Sequence, residues 1–142
     1  MILAVIMVLS LVPTPAFAAG EIAAEVNSGG TTTQYSDVIA AFSEAKDGDT
    51  VKLMKNAELS DSDNVIVKNK SITLELNGYT IPCVFVGWED YNEETYEITA
   101  TYEGNMTVKD SVGGGGITGE VDIISGALTV ESGTIGTEDN SD

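Results

Sequence analysis

Four short stretches repeat along this chain and constrain its fold more than any single residue: Val51-Lys52-Leu53, Ile72-Thr73-Leu74, Met106-Thr107-Val108 and Leu128-Thr129-Val130. Each is apolar-polar-apolar, the period of a strand with one buried face. Their starts fall 21, 34 and 22 residues apart, so the odd interval is one period plus about 12 residues. Turn-forming residues follow several copies, at Asn77-Gly78, from Ser111 through Gly116 and at Ser132-Gly133. A second apolar beat follows within each copy, at Val65-Ile66-Val67, at Ile81, at Val121-Asp122-Ile123 and at Ile135. Self-similarity at about 20 to 30 residues, built from strands and Gly/Asn turns, predicts a solenoid. An all-β parallel β-helix of about three to four rungs fits better than a leucine-rich repeat, because neither a helical segment nor the Leu-x-x-Leu-x-Leu consensus is present within the repeats. An immunoglobulin-like sandwich is the competing architecture, and it predicts no fixed period.

Inward residues of successive rungs stack, so the alignment places Val51, Ile72, Met106 and Leu128 in one column and Leu53, Leu74, Val108 and Val130 in the next. Upstream, Ala23 to Val26 and Thr31 to Tyr35 read as short strands around Asn27-Ser28-Gly29-Gly30. Ser36 offers an N-cap hydroxyl to a helix over 37–46, whose Val38, Ile39, Ala41, Phe42 and Ala45 recur at three-to-four spacing. That one-sided helix is expected to cover the open first rung, since an uncovered sheet edge pairs with other chains. At the other end Thr137 to Asp142 are polar residues directly after an ongoing repeat, and further rungs are expected to follow.

Residues 1–18 read as a signal peptide. Ile2 to Val12 is almost wholly apolar, Pro13 and Pro15 break the run, and Ala16-Phe17-Ala18 supplies the small-x-small site for cleavage after Ala18. The run is shorter than the roughly 20 residues that span a bilayer, so no membrane insertion is expected after cleavage. The basic opening of such a leader is missing, which places the expected true start upstream of Met1. The division is therefore a signal peptide at 1–18, strands and capping helix at 19–50, and rungs over 51–142 with an inserted β-hairpin at about 83–104. The expected location is extracellular or cell-wall associated.

Charge removes several function classes. Six Lys and no Arg or His stand against 23 acidic residues, a formal charge of −17. Such a chain has little to neutralise nucleic-acid phosphates or to dock on anionic lipid. Chemistry that needs an imidazole base or an arginine clamp is excluded as well. The lone Cys83 permits no internal disulfide and no cysteine metal cage. Set in Ile81-Pro82-Cys83-Val84-Phe85-Val86, it reads as a small core hydrophobe.

The inserted segment holds five of the nine aromatics, Phe85, Trp88, Tyr91, Tyr96 and Tyr102, among six acidic residues. Val84, Val86 and Trp88 alternate on one side of a turn, and Tyr96, Ile98, Ala100 and Tyr102 on the other, as in a projecting hairpin. Insertions on one face of a solenoid are often its binding face. Trp88 and Tyr91 are therefore the candidates to stack on sugar rings, with Glu89 and Asp90 accepting from hydroxyls; the competing reading is that the aromatics only cover the hairpin. Asp61-Ser62-Asp63-Asn64 alternates oxygens as a calcium loop does, but without the Gly and distal Glu of an EF-hand. A solvated turn is the better reading, which leaves Asp61 and Asp63 as the only calcium candidates and no other cofactor. The glycines 113–116 match neither a calcium β-roll nor a phosphate loop, and Asn77 and Asn105 are expected to bond neighbouring backbone.

Tyr35-Ser36-Asp37, Ala40-Ala41-Phe42 and the run Ala45-Lys46-Asp47-Gly48-Asp49-Thr50-Val51 resemble the opening of pectin-lyase-like right-handed β-helix proteins. In these a short helix leads into an Ala-x-x-Gly-Asp-Thr-aliphatic strand. Val65-Ile66-Val67 with Lys70 to Ile81 resembles the next coil of secreted, multi-domain surface proteins of gut Gram-positive bacteria. The resemblance implies the scaffold and not an activity, since the fold hosts lyases, hydrolases, adhesins and stalks. The enzymes of that superfamily use calcium with an arginine or lysine base, or clustered aspartates, and neither set is recognisable here. The expectation is a non-catalytic stalk or adhesin-like module of a larger exported protein, meeting glycans or a host or wall surface. The alternative is a carbohydrate-binding or polysaccharide-degrading protein whose active residues lie beyond this sequence.

Overall fold

The computed structural model describes residues 21–136; the expected signal peptide and the polar tail 137–142 lie outside the described residues. The fold is mostly β with one short helix. Strands β1 (Ala24–Ser28) and β2 (Thr31–Tyr35) form an antiparallel hairpin, closed by Gly29 and Gly30, both at positive φ. Helix α1 (Val38–Glu44) follows, then β3 (Thr50–Leu53). From there the chain runs through β4 (Ile66–Val67), β5 (Lys70–Glu75), β6 (Thr80–Ile81) and β7 (Val84–Val86). The antiparallel hairpin of β8 (Trp88–Tyr91) and β9 (Ile98–Tyr102) comes next. It leads into β10 (Gly104–Lys109), β11 (Gly116–Ile117), β12 (Val121–Ile123), β13 (Gly126–Val130) and β14 (Thr134–Ile135).

Three sheets collect these strands in parallel: β3-β5-β10-β13, β6-β11-β14 and β4-β7-β12. From β5 onward the chain visits them in one order, the main sheet, then β6-β11-β14, then β4-β7-β12, while the first pass runs from β3 to β4 without a strand in the second sheet; none of the sheets closes on itself. The second apolar beat of the sequence is thus two beats on two sheets. Val65 to Val67 and Val121 to Ile123 belong to one, Ile81 and Ile135 to the other. Alternation alone does not distinguish them, because both present one aliphatic face inward.

The register also corrects the columns. Val51 pairs with Leu74, not Ile72, and the stack runs Val51, Leu74, Val108, Val130, at intervals of 23, 34 and 22 residues. Ile72, Met106 and Leu128 form the neighbouring column. A shift of two residues leaves every side chain on its own face, so the period-2 pattern does not resolve it. The outward rows match like with like. Asn27, Thr50, Thr73, Thr107 and Thr129 align across five strands, and beside them Glu25, Lys52, Glu75 and Lys109 alternate in sign. Lys109 continues the alternation with an ion pair to Glu131 at 3.0 Å. Opposite charges directly across strands stabilise this pairing, and a register slipped by two residues removes it, setting Lys52 opposite Thr73.

The free edge of β3 is covered by the β1–β2 hairpin, which extends the main sheet to six strands, and not by the helix alone. Helix α1 packs beside that hairpin and β4, burying Val38, Ala41 and Phe42. Its N-cap is Asp37, not Ser36: the Asp37 carboxylate accepts from the backbone N–H groups of Ile39 and Ala40, and the helix is shorter than the 37–46 span. At its C-terminal end Lys70 supplies the positive charge. The Lys70 ammonium donates to the carbonyls of Phe42, Ser43 and Ala45.

The inner faces of β3, β4, β5, β7 and β10 make one aliphatic core, and Val51, Leu53, Leu74, Val84 and Val108 are wholly buried. Burial falls off on the last circuit, where Ile123 is 48 % and Val130 44 % exposed. Cys83 is half-buried in the turn between β6 and β7, outside that core, and burial pushes its thiol above the usual value.

Candidate functional site

The inserted segment is narrower than the 83–104 span, because Val84 and Val86 are strand residues of a parallel sheet. The register sets Val86 opposite Ile123 and Gly104 opposite Gly126. Residues 87–103 therefore stand where the next circuit has only Ile124 and Ser125. Glycines mark both ends of the insertion for a steric reason: a Cβ on Gly87 would lie 2.0 Å from the carbonyl oxygen of Ser125, and one on Gly104 1.9 Å from that of Val67. Backbone passes too close for any side chain at either point.

Within the hairpin, alternation separates the predicted platform onto two faces. Trp88 stands directly across from Tyr102, and both lie on the face of Asp90. The Trp88 indole N–H donates to Asp90 Oδ1 at 3.1 Å and the Tyr102 hydroxyl to Asp90 Oδ2 at 2.8 Å. Tyr91 lies on the other face, its hydroxyl donating to Glu89 Oε2 at 2.8 Å. Trp88 and Tyr91 thus do not make one stacking surface. Asp90 has both oxygens engaged in orienting rings, so its first role is to hold Trp88 and Tyr102. The bonds to ionised carboxylates raise both phenols, Tyr91 through Glu89 and Tyr102 through Asp90.

Other carboxylates are bound into turns. Asp63 accepts from the Ser60 backbone N–H at 3.1 Å and the Ser60 hydroxyl at 2.7 Å, bonds that hold its carboxyl below the usual range. Among the described residues no group of three or more Asp, Glu, His or Cys side chains is placed to hold a metal ion, Asp61 and Asp63 included. Asp110 accepts from the backbone N–H groups of Gly78 and Gly115, at 2.8 and 2.7 Å, and ties the glycine turn to the circuit below. Desolvation pushes the Asp110 carboxyl up, but these N–H groups together outweigh it and hold it low. Asn77 donates to the Leu53 carbonyl oxygen at 3.0 Å, the expected backbone bond. Asn105 instead lies in the first residues of β10 and donates to the Ser71 hydroxyl at 3.4 Å.

The aromatic face of the hairpin meets a feature absent from the sequence reading. The Lys68 ammonium lies 5.1 Å from the centre of the Tyr102 ring, a cation–π contact. Lys68 also lines a cleft of about 350 Å³ between helix α1 and the outer face of β4. Its apolar part is Ile39, Phe42 and Ile66; its polar part is Ser43, Asn64, Lys68, Asn69 and Lys70. Strand alternation carries Asn64, Ile66 and Lys68 outward while Val65 and Val67 enter the core. That alternation was legible in the sequence, but the helix that walls the cleft and the hairpin that meets Lys68 come from elsewhere in the chain. Comparison with known proteins finds no family model, no curated protein and no solved structure that matches this chain.

Proposed function

We propose that this chain is a non-catalytic, exported module built as a pectin-lyase-like right-handed parallel β-helix, a stalk or adhesive surface of a larger cell-surface protein of the kind found in gut Gram-positive bacteria. The observation that carries the reading is the register: three parallel sheets visited in one order from β5 onward, with Thr on Thr and aliphatic on aliphatic from one circuit to the next. Parallel crossover connections within a sheet are right-handed in nearly all proteins, which supports the hand. The outward faces are polar or charged, as suits a wet extracellular surface. Carboxylates such as Asp63 and Asp110 are bound to backbone N–H groups and not set in facing pairs for acid and base work. The module in this reading requires no cofactor, and its partners are glycans or a wall surface.

The test is incubation of the full chain with polygalacturonate and a panel of other polysaccharides. No new chain ends are expected, and turnover of any of them overturns the non-catalytic reading. A second reading, glycan recognition, is favoured by one observation, the half-exposed pair Trp88 and Tyr102 held by Asp90. A glycan array on which Trp88→Ala changes nothing overturns that one.

A further inference from the structure

Strand β9 is an unguarded sheet edge. Among the described residues it pairs with β8 alone, and no backbone hydrogen bond joins residues 88–102 to the circuits. Edge strands are commonly blunted by lysine, proline or a bulge. Ile98-Thr99-Ala100-Thr101-Tyr102 contains neither lysine nor proline, and all of it but Ala100 is β-branched or aromatic, which favours strand pairing. Its one irregularity, the register shift between Asp90 and Tyr91, spares Ala100, Thr101 and Tyr102, which stay in unbroken register with β8. The face shared by Tyr91 and Ile98, which stand opposite each other, is apolar and more than half exposed. Beyond it Tyr96 is held at φ +56° with its ring 83 % exposed, a conformation that costs a bulky residue energy and that no burial repays.

Charge decides what such an edge can pair with. Residues 87–103 carry six acidic side chains and no lysine. Glu97 and Glu103 bracket β9 directly, Glu93 and Glu94 lie in the turn, and none of the six makes an ion pair among the described residues. A second copy of this chain brings the same carboxylates against them and is repelled, whereas a cationic segment is drawn in. We propose that the free edge of β9 takes an extended basic segment of another polypeptide as a third strand. The lysine or arginine side chains of that segment meet Glu97 and Glu103, and its apolar side chains cover Ile98 and Tyr91. The backbone ladder supplies affinity and the alternate side chains supply selectivity. Glu97 and Glu103 are six residue steps apart, about 20 Å of extended chain, so cations at that spacing on the segment reach both. The proposal goes beyond the stalk reading and does not depend on glycan recognition, because the rings of Trp88 and Tyr102 lie on the opposite face, with Lys68 over the Tyr102 ring.

The experiment titrates the full chain with a blocked synthetic peptide, Lys-Val-Thr-Val-Thr-Val-Lys, and follows amide exchange along the chain. Binding is expected, with exchange slowed at residues 98–102. The same peptide N-methylated at every amide between its lysines keeps the charge but not the ladder, and is expected to bind about tenfold more weakly. An analogue with Glu in place of both lysines is expected not to bind. Ile98→Lys, which sets a cation on the edge, is expected to weaken binding about tenfold, whereas Val112→Lys, the same charge change at an exposed residue outside the hairpin, stays within about twofold of the parent. Equal affinity of the plain and methylated peptides reduces the effect to net charge and overturns the strand pairing. No binding, slowed exchange confined to residues outside 88–102, or equal effects of the two lysine variants overturns it as well. Dimerisation of the parent that Ile98→Lys abolishes gives the edge to a second copy and likewise overturns the proposal.

Discussion

Asp49 shows what one residue contributes to this fold. It is the one buried charged side chain among the described residues, and it closes the turn between α1 and β3 by accepting from the Lys46 backbone N–H at 2.8 Å. That bond, followed by one from the Ser28 hydroxyl, holds its carboxyl below the usual range. Because the folded value lies below the unfolded one, near 3.9, the ionised group stabilises the fold fully above about pH 5. That contribution is lost as the pH falls through the folded value. Asp49→Asn is expected to cost about 1–3 kcal/mol at pH 7 and to flatten the fall in Tm between pH 5 and 3. Parallel Tm profiles for the variant and the parent check this, and an unchanged acid slope refutes it. The residues Ala45 to Thr50 were legible as a helix exit into a strand, but the burial of Asp49 depends on the β1–β2 hairpin folding back beside it.

At the scale of elements, the insertion is separable from the circuits. No residue of β8 or β9 is fully buried, and the backbone returns at Gly104 to the position that Gly126 occupies one circuit later. Replacing residues 87–103 by the two-residue Ile-Ser link found at Ile124-Ser125 is expected to leave the parallel sheets folded, with Tm within a few degrees of the parent. Circular dichroism and thermal melting check it, and loss of the β signal shows that the hairpin is required by the core. The insertion was legible as a 12-residue excess in the repeat. Its true bounds were not, because Val84 and Val86 alternate as well in a buried parallel strand as in a hairpin. The same blindness moved the columns by two residues. Strand alternation fixes which face a residue takes, while the partner is chosen by cross-strand contacts such as the Glu25, Lys52, Glu75 and Lys109 row.

Across the whole molecule, stability is expected to be graded. Strands β3, β5 and β10 have neighbours on both sides and buried inner faces, whereas among the described residues β13 borders only β10 and leaves Val130 44 % exposed. Amide exchange is therefore expected to be slowest in β5 and β10 and faster, by a factor of 10 or more, in β12, β13 and β14. Uniform protection along the chain refutes this gradient. Local pattern alone reads out a β-rich chain with a repeat of about 20 to 30 residues, the apolar faces of its strands, and one helix and one insertion that interrupt the pattern. These follow from local periodicity and turn chemistry, which need no knowledge of partners. The register of each pair, the division of the second beat into two sheets, the separation of Trp88 from Tyr91, and the meeting of Lys68 with Tyr102 beside α1 come from the folded chain. Each of those depends on which distant segments come into contact, and alternation is the same for every register that differs by two residues.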